Sequence, residues 1–251
     1  MKNITLLLFI LPLLLYSCAR SEPSDEIVTP PNETPLTLIA AYNTSVAEPS
    51  GLAYNQKTGS LFTVSDGNST VYEMTFTGTV LRSFIIQSSD LEGVVFSANC
   101  DTFYVAEETN RLITKYLSTG AKLYSFPFEN VVTDPKHGPE GITLNTANNH
   151  LFVLNERDPR VLVEYVNKTE ISRKQLQYTS DCSDIFFDAA ENCFWLLSDE
   201  SAKIIKLSLN GDYIAGYTLP KQKMEGIVVF QGKIYTINDE DGKLYVFNKP
   251  Q

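Results

Sequence analysis

The stretch GPEGITLNTANNHLFVLNE, residues 138–156, decides the reading of this chain. Short apolar runs on either side of a polar, Asn-rich centre predict two strands joined by a tight turn. An antiparallel hairpin of that kind returns its end to its beginning, so Glu140 and Glu156 meet on one edge. Like charges brought together need a compensating partner. The same pattern recurs four more times, as EPSGLAYNQKTGSLFTVSD (48–66), DLEGVVFSANCDTFYVAEE (90–108), DCSDIFFDAAENCFWLLSD (181–199) and KMEGIVVFQGKIYTIND (223–239).

The position held by Gly51, Gly93, Gly141, Asp184 and Gly226 repeats at intervals of 42, 48, 43 and 42 residues. That period matches one four-stranded propeller blade. Each unit continues into a third apolar stretch, and the first four add a fourth, such as TVLRSFII and DYIAGYTL. The fifth unit stops at KLYVFNKPQ, one strand short, while PLTLIAAYN (35–43) precedes the first unit, one strand early. Pairing these two ends closes the ring and leaves no open sheet edge there. The predicted fold is an all-β, five-bladed β-propeller of four-stranded blades. Six blades fit the count less well, and an open sandwich of hairpins leaves the displaced strand without a reason.

Two columns of the repeat converge on the central channel. The first, at the start of the innermost strand, reads Ser50, Glu92, Glu140, Ser183 and Glu225; the second, after strand two, reads Asp66, Glu108, Glu156, Asp199 and Asp239. Further acids, Glu48, Asp90, Glu107, Asp181, Asp184, Glu200, Glu240 and Asp241, crowd the same edge, against Lys136, Arg157 and Lys223. So many carboxylates around one pore raise one another's pKa values and strain the fold unless a cation or a basic partner compensates them. All-oxygen ligands without clustered His or Cys suit Ca2+ better than Mg2+. The expected metal ligands are Glu92, Glu140, Glu225, Asp66, Glu108, Glu156, Asp199 and Asp239, although acids at turns also serve simply as acceptors for turn amides. His137, in the longest inter-unit connection, and Glu140 are candidate catalytic bases. His150 falls in the opposite turn.

The first 17 residues are basic, then apolar, and predict a secretory signal too short to span a bilayer. LYSC (15–18) resembles a bacterial lipobox, which makes Cys18 the lipidation site. Residues 18–33 are rich in Pro, Ser and acids and read as a flexible tether, leaving 34–251 as the propeller. The expected location is therefore the bacterial cell envelope, periplasmic or outer-membrane anchored, with membrane contact through the lipid alone. The chain has 20 basic and 30 acidic residues, a formal charge of −10, which excludes nucleic acid as a natural partner. Of the four cysteines, Cys182 and Cys193 fall at opposite ends of one predicted strand, so no structural disulfide is expected.

The motifs EPSGLAYN, DLEGVVF, GPEGITL and KMEGIVV, with TVSDGNSTVYEM and LLSDESAKIIKLSLNG, resemble the SdiA-regulated, YjiK-like family of bacterial exported proteins over about residues 35–251. The resemblance implies a five-bladed propeller distantly related to NHL-repeat propellers, with a calcium site. Carried over residue by residue, the E-G motif selects Glu92, Glu140 and Glu225. The fourth unit departs from it with Ser183-Asp184, which moves any metal off the axis. The function expected is a monomeric, calcium-binding module that takes a small ligand or an envelope protein at its acidic face. The alternative is a Ca2+-dependent hydrolase of lactonase, esterase or phytase type. No G-x-S-x-G, H-E-x-x-H or phosphate loop is present.

Overall fold

The computed structural model describes residues 26–30, 32–129 and 136–250. The leader, Cys18, most of the tether and most of the connection before His137 lie outside these residues. Every regular element among those described is a strand. In chain order, β1 (Thr34–Pro35) and β2 (Leu38–Asn43) precede the first complete blade, formed by β3 (Pro49–Asn55), β4 (Ser60–Ser65), β5 (Thr70–Met74) and β6 (Val80–Ile85). Blade 2 comprises β7 (Leu91–Phe96), β8 (Thr102–Glu107), β9 (Leu112–Leu117) and β10 (Lys122–Pro127); blade 3 comprises β11 (Pro139–Asn145), β12 (His150–Asn155), β13 (Val161–Val166) and β14 (Thr169–Gln175). Blade 4 follows as β15 (Asp184–Asp188), β16 (Cys193–Ser198), β17 (Lys203–Leu207) and β18 (Tyr213–Thr218), and the chain ends with β19 (Met224–Phe230), β20 (Lys233–Asn238) and β21 (Lys243–Asn248).

The fifth blade is completed by β2, which pairs antiparallel with β21, Leu38 facing Phe247 and Asn43 facing Lys243. The displaced strand predicted from the repeat count thus closes the ring. One pairing was not foreshadowed: β1 adds to blade 4 as a fifth, outer strand, parallel to β18. Its backbone hydrogen bonds need no hydrophobic period, so a Pro-rich composition conceals them. The end of the expected tether is also pinned, by Val28 N–H to the Gln177 carbonyl at 2.6 Å and by Glu33 to Lys203 at 2.8 Å.

The apolar side chains of neighbouring blades interdigitate, as alternation along each strand requires. Phe62 of blade 1 meets Phe96 of blade 2 with ring centres 4.7 Å apart, Phe152 of blade 3 meets Phe194 of blade 4 at 4.7 Å, and Tyr54 meets Phe230 across the closure at 4.4 Å. Trp195 is fully buried, stacked on Tyr217, and donates its indole N–H to Asp188 at 3.3 Å. Cys100, Cys182 and Cys193 are buried free thiols, as expected.

At the axis the innermost strands approach one another too closely for side chains. A Cβ at Gly226 would lie 2.6 Å from the Gly51 carbonyl carbon, and one at Gly141 would lie 2.6 Å from Asp184 Cα. These contacts explain why the recurring position is glycine in four units. In the fourth unit Asp184 occupies the place instead and fills the centre.

Candidate functional site

The E-G motif works through β-bulges. Register slips at Leu91/Gly93, Pro139/Ile142 and Met224/Gly226, so Glu92, Glu140 and Glu225 sit at the irregular step of their strands. A bulge turns its extra residue away from the ladder, here toward the channel. Blade 4 pairs regularly from Asp184↔Leu197 onward and contributes no such glutamate.

The resulting mouth is a cavity of about 250 Å³. Its walls include nine carboxylates, Asp66, Glu92, Glu140, Glu156, Asp181, Asp199, Glu200, Glu225 and Asp239, against two basic residues, Arg157 and Lys223. Seven of the eight residues predicted as metal ligands therefore line one cavity. The eighth, Glu108, stands beside it: Asp90, Glu92 and Glu108 offer oxygens within 4.8 Å of one another, and oxygens of Glu108 and Glu156 group equally closely with a ring nitrogen of His137.

The acids are not equivalent. On the blade 4 side they are largely satisfied: Asp199 pairs with Lys223 at 2.9 Å, Glu200 pairs with Arg157 at 2.5 Å, and Asp181 accepts from the Ser198 and Ser183 hydroxyls and the Asp199 N–H. Glu156 is held by His137 Nδ1 and by Arg157 at 3.2 Å. Toward blades 1 and 2 compensation is thin. Glu92 receives the Ser50 hydroxyl at 2.7 Å, and Asp66 Oδ1 is buried without a hydrogen-bond partner among the described residues.

Burial, followed by the fields of Asp66, Glu108 and Asp90, pushes Glu92 up to about 8 despite the Ser50 hydrogen bond. Burial, then Asp199, pushes Glu225 up to about 9. Burial first, then the fields of Glu92, Glu108 and Glu225, drives Glu140 well above the usual carboxylate range. Burial with Glu156 and Asp90 lifts Glu108 to about 7. Without a cation the mouth retains protons at neutral pH.

Asp184 closes the floor. Fully buried, it accepts the Leu52 N–H at 3.2 Å and the Ile227 N–H at 2.9 Å on Oδ2, and burial raises it to about 8 although backbone hydrogen bonds oppose the shift. Beneath it lies a separate cavity of about 230 Å³ walled by Leu52, Val94, Ile142, Ile185 and Phe187. The repeat alignment identified Asp184 as a departure from glycine, but its clasp on two other blades depends on backbone groups that side-chain patterns do not reveal.

Some acids expected at the mouth point elsewhere. Glu107 is buried inside blade 2, accepting from the Thr114 hydroxyl and from Asn110 at 3.1 Å. Strand alternation sends it to the opposite face from Glu108. Asp241 turns to Lys221 and the Tyr245 hydroxyl. His150 pairs with Glu164 at 2.6 Å, away from the mouth.

A closed five-bladed β-propeller with an acidic, bulge-built mouth is thus the class this chain defines. The SdiA-regulated family profile matches residues 35–251, and the chain belongs to that family. Its fold is similar to virginiamycin B lyase from Staphylococcus aureus, with 16% identity, 82% of this chain and 69% of that chain covered, and a TM-score of 0.52. It is also similar to a chain of a nidogen/laminin complex, with 12% identity, coverage of 80% and 76%, and a TM-score of 0.62. At these identities the likeness concerns the fold.

Proposed function

We propose that this protein is an envelope-anchored, calcium-binding propeller whose acidic mouth receives a small ligand or a partner protein. The observation that carries the reading is the imbalance in one cavity, nine carboxylates to two bases among the described residues, with Asp90, Glu92 and Glu108 offering oxygens within 4.8 Å of one another at its edge. The donor set fits Ca2+: it is all oxygen, wide, and includes the orphaned Asp66 Oδ1. Glu92, Glu140 and Glu225 would hold the cation, which would relieve their mutual repulsion and would supply positive charge for a ligand's oxygens. Lipidation at Cys18 would hold the module at the membrane surface.

A second reading is a Ca2+-dependent hydrolase. It is favoured by the cluster at the cavity rim, where His137 Nδ1 meets Glu156 and Arg157 Nε lies 3.1 Å from His137 Nε2, so the imidazole would serve as a base once a substrate displaced Arg157. Lactones, simple esters and phosphate esters assayed with and without Ca2+ separate the two. Calcium-dependent turnover abolished in Glu140→Gln or His137→Gln establishes the enzyme; calcium binding without turnover leaves the binding module.

A further inference from the structure

On the side of the ring opposite the acidic mouth, between blades 2 and 3, lies a cavity of about 300 Å³ with a different chemistry. Its lining includes Tyr104, Lys115, Tyr124, Tyr165 and Lys168 and, among the described residues, no Asp or Glu. Three of these form a row across blade 2, because Lys115 is the register partner of both Tyr104 on β8 and Tyr124 on β10. The Lys115 ammonium stands 4.7 Å from the centre of the Tyr104 ring. Lys168 reaches the same place from blade 3, at the turn between β13 and β14, and sits 5.0 Å over Tyr124. Its backbone is fixed by a left-handed turn, with φ of 48° at Asn167 and 70° at Lys168.

Two converging ammonium groups are unusual in a chain with 30 acids and 20 bases, where a carboxylate partner is seldom far away. Neither Lys115 nor Lys168 has an ion-pair partner among the described residues. Cation–π attraction biases both ammonium groups toward these aromatic faces before any ligand arrives. The Tyr104 and Tyr124 hydroxyls stand 3.4 Å apart, and Asn149 and Asn167 add amide donors and acceptors at the rim. Flat aromatic walls, neutral hydrogen-bonding groups and two neighbouring positive charges suit a ring that carries hydroxyls and one negative charge. The volume lies at the small end of ligand pockets, which run from roughly 300 Å³ upward, and admits a single ring.

We propose that this inter-blade cavity is a binding site for a cyclic sugar acid, separate from the acidic mouth and independent of calcium. The test is titration of the purified full chain, in calcium-free buffer, with D-glucuronate, D-glucose and acetate, followed by NMR shifts at Lys115, Lys168 and their neighbours. Glucuronate should give saturable shifts confined to this cavity, with glucose and acetate binding at least about tenfold more weakly. Lys115→Gln combined with Lys168→Gln should weaken glucuronate about tenfold or more while the melting temperature stays at the wild-type value; Tyr124→Leu should weaken it as well. Absent or non-saturating shifts, acetate binding equal to glucuronate, or unchanged affinity in the double variant would each overturn the proposal.

Discussion

Removing divalent cations should make this protein less stable as pH rises, the reverse of the behaviour of a protein held together by salt-bridged carboxylates. Glu92 is held near 8 and Glu225 near 9 in the fold, against ordinary values near 4.5 in the unfolded chain. Between pH 4.5 and 8 the native state therefore binds more protons than the unfolded state, and stability falls with pH through that window. A single carboxyl moved from 4.5 to about 8 corresponds to about 5 kcal/mol across the full range. The mouth is open to water and its acids share one field, so a net loss of about 3–5 kcal/mol between pH 5.5 and 8.5 is the expected scale. For a domain of this size that amounts to a drop of roughly 10 °C in melting temperature. Thermal melts in chelator across this range provide the assay. Glu92→Gln and Glu225→Gln should each flatten the slope, because a neutral amide has no proton to lose. A melting temperature that is level or rises from pH 5.5 to 8.5 would refute the account of a mouth crowded with uncompensated acids.

Asp184→Ala leaves the buried Leu52 and Ile227 amides without their shared acceptor, and chemical denaturation should show a loss of about 2–6 kcal/mol. Gly51→Ala places a Cβ 2.5 Å from the Glu92 carbonyl oxygen at a φ of 62°, so the variant should fold poorly or melt well below wild type by circular dichroism. Cys100, Cys182 and Cys193 should be silent toward a thiol reagent in the native protein and react after denaturation, since all three are buried and burial pushes the Cys193 thiol up to about 11.

The ring was legible because its signals are local and repeated. The glycine near the start of the innermost strand in four units and the acid after each second strand recur in the sequence even where the strands between them diverge. Closure by residues 38–43 was legible because a missing strand at one end and a spare one at the other are countable. Other features depend on groups brought from far along the chain. The β1 pairing uses only backbone amides and carbonyls of Thr34–Pro35 and blade 4, which composition does not register. Asp184 acquires its role from amides 132 and 43 residues away. Glu107 and Glu108 are adjacent acids with opposite fates, one sealed within the blade and one at the rim; strand alternation separates them, but only the register says which goes inward. The pairing of Asp199 with Lys223 and the thin compensation around Glu92 follow from side-chain reach that no column of the repeat encodes.

Calcium binding to the chelator-stripped full chain at pH 8 separates a cation site at the acidic mouth from a ring of turn acceptors. Calorimetry should show a saturable heat, accompanied at about a hundredfold excess over the dissociation constant by roughly 2.7 kcal/mol of added stability. That corresponds to a rise of several degrees in melting temperature. Glu92→Gln and Glu140→Gln should weaken both signals. An absence of heat together with an unchanged melting temperature would contradict a cation site there and leave the carboxylates as turn acceptors or a docking surface for a basic partner.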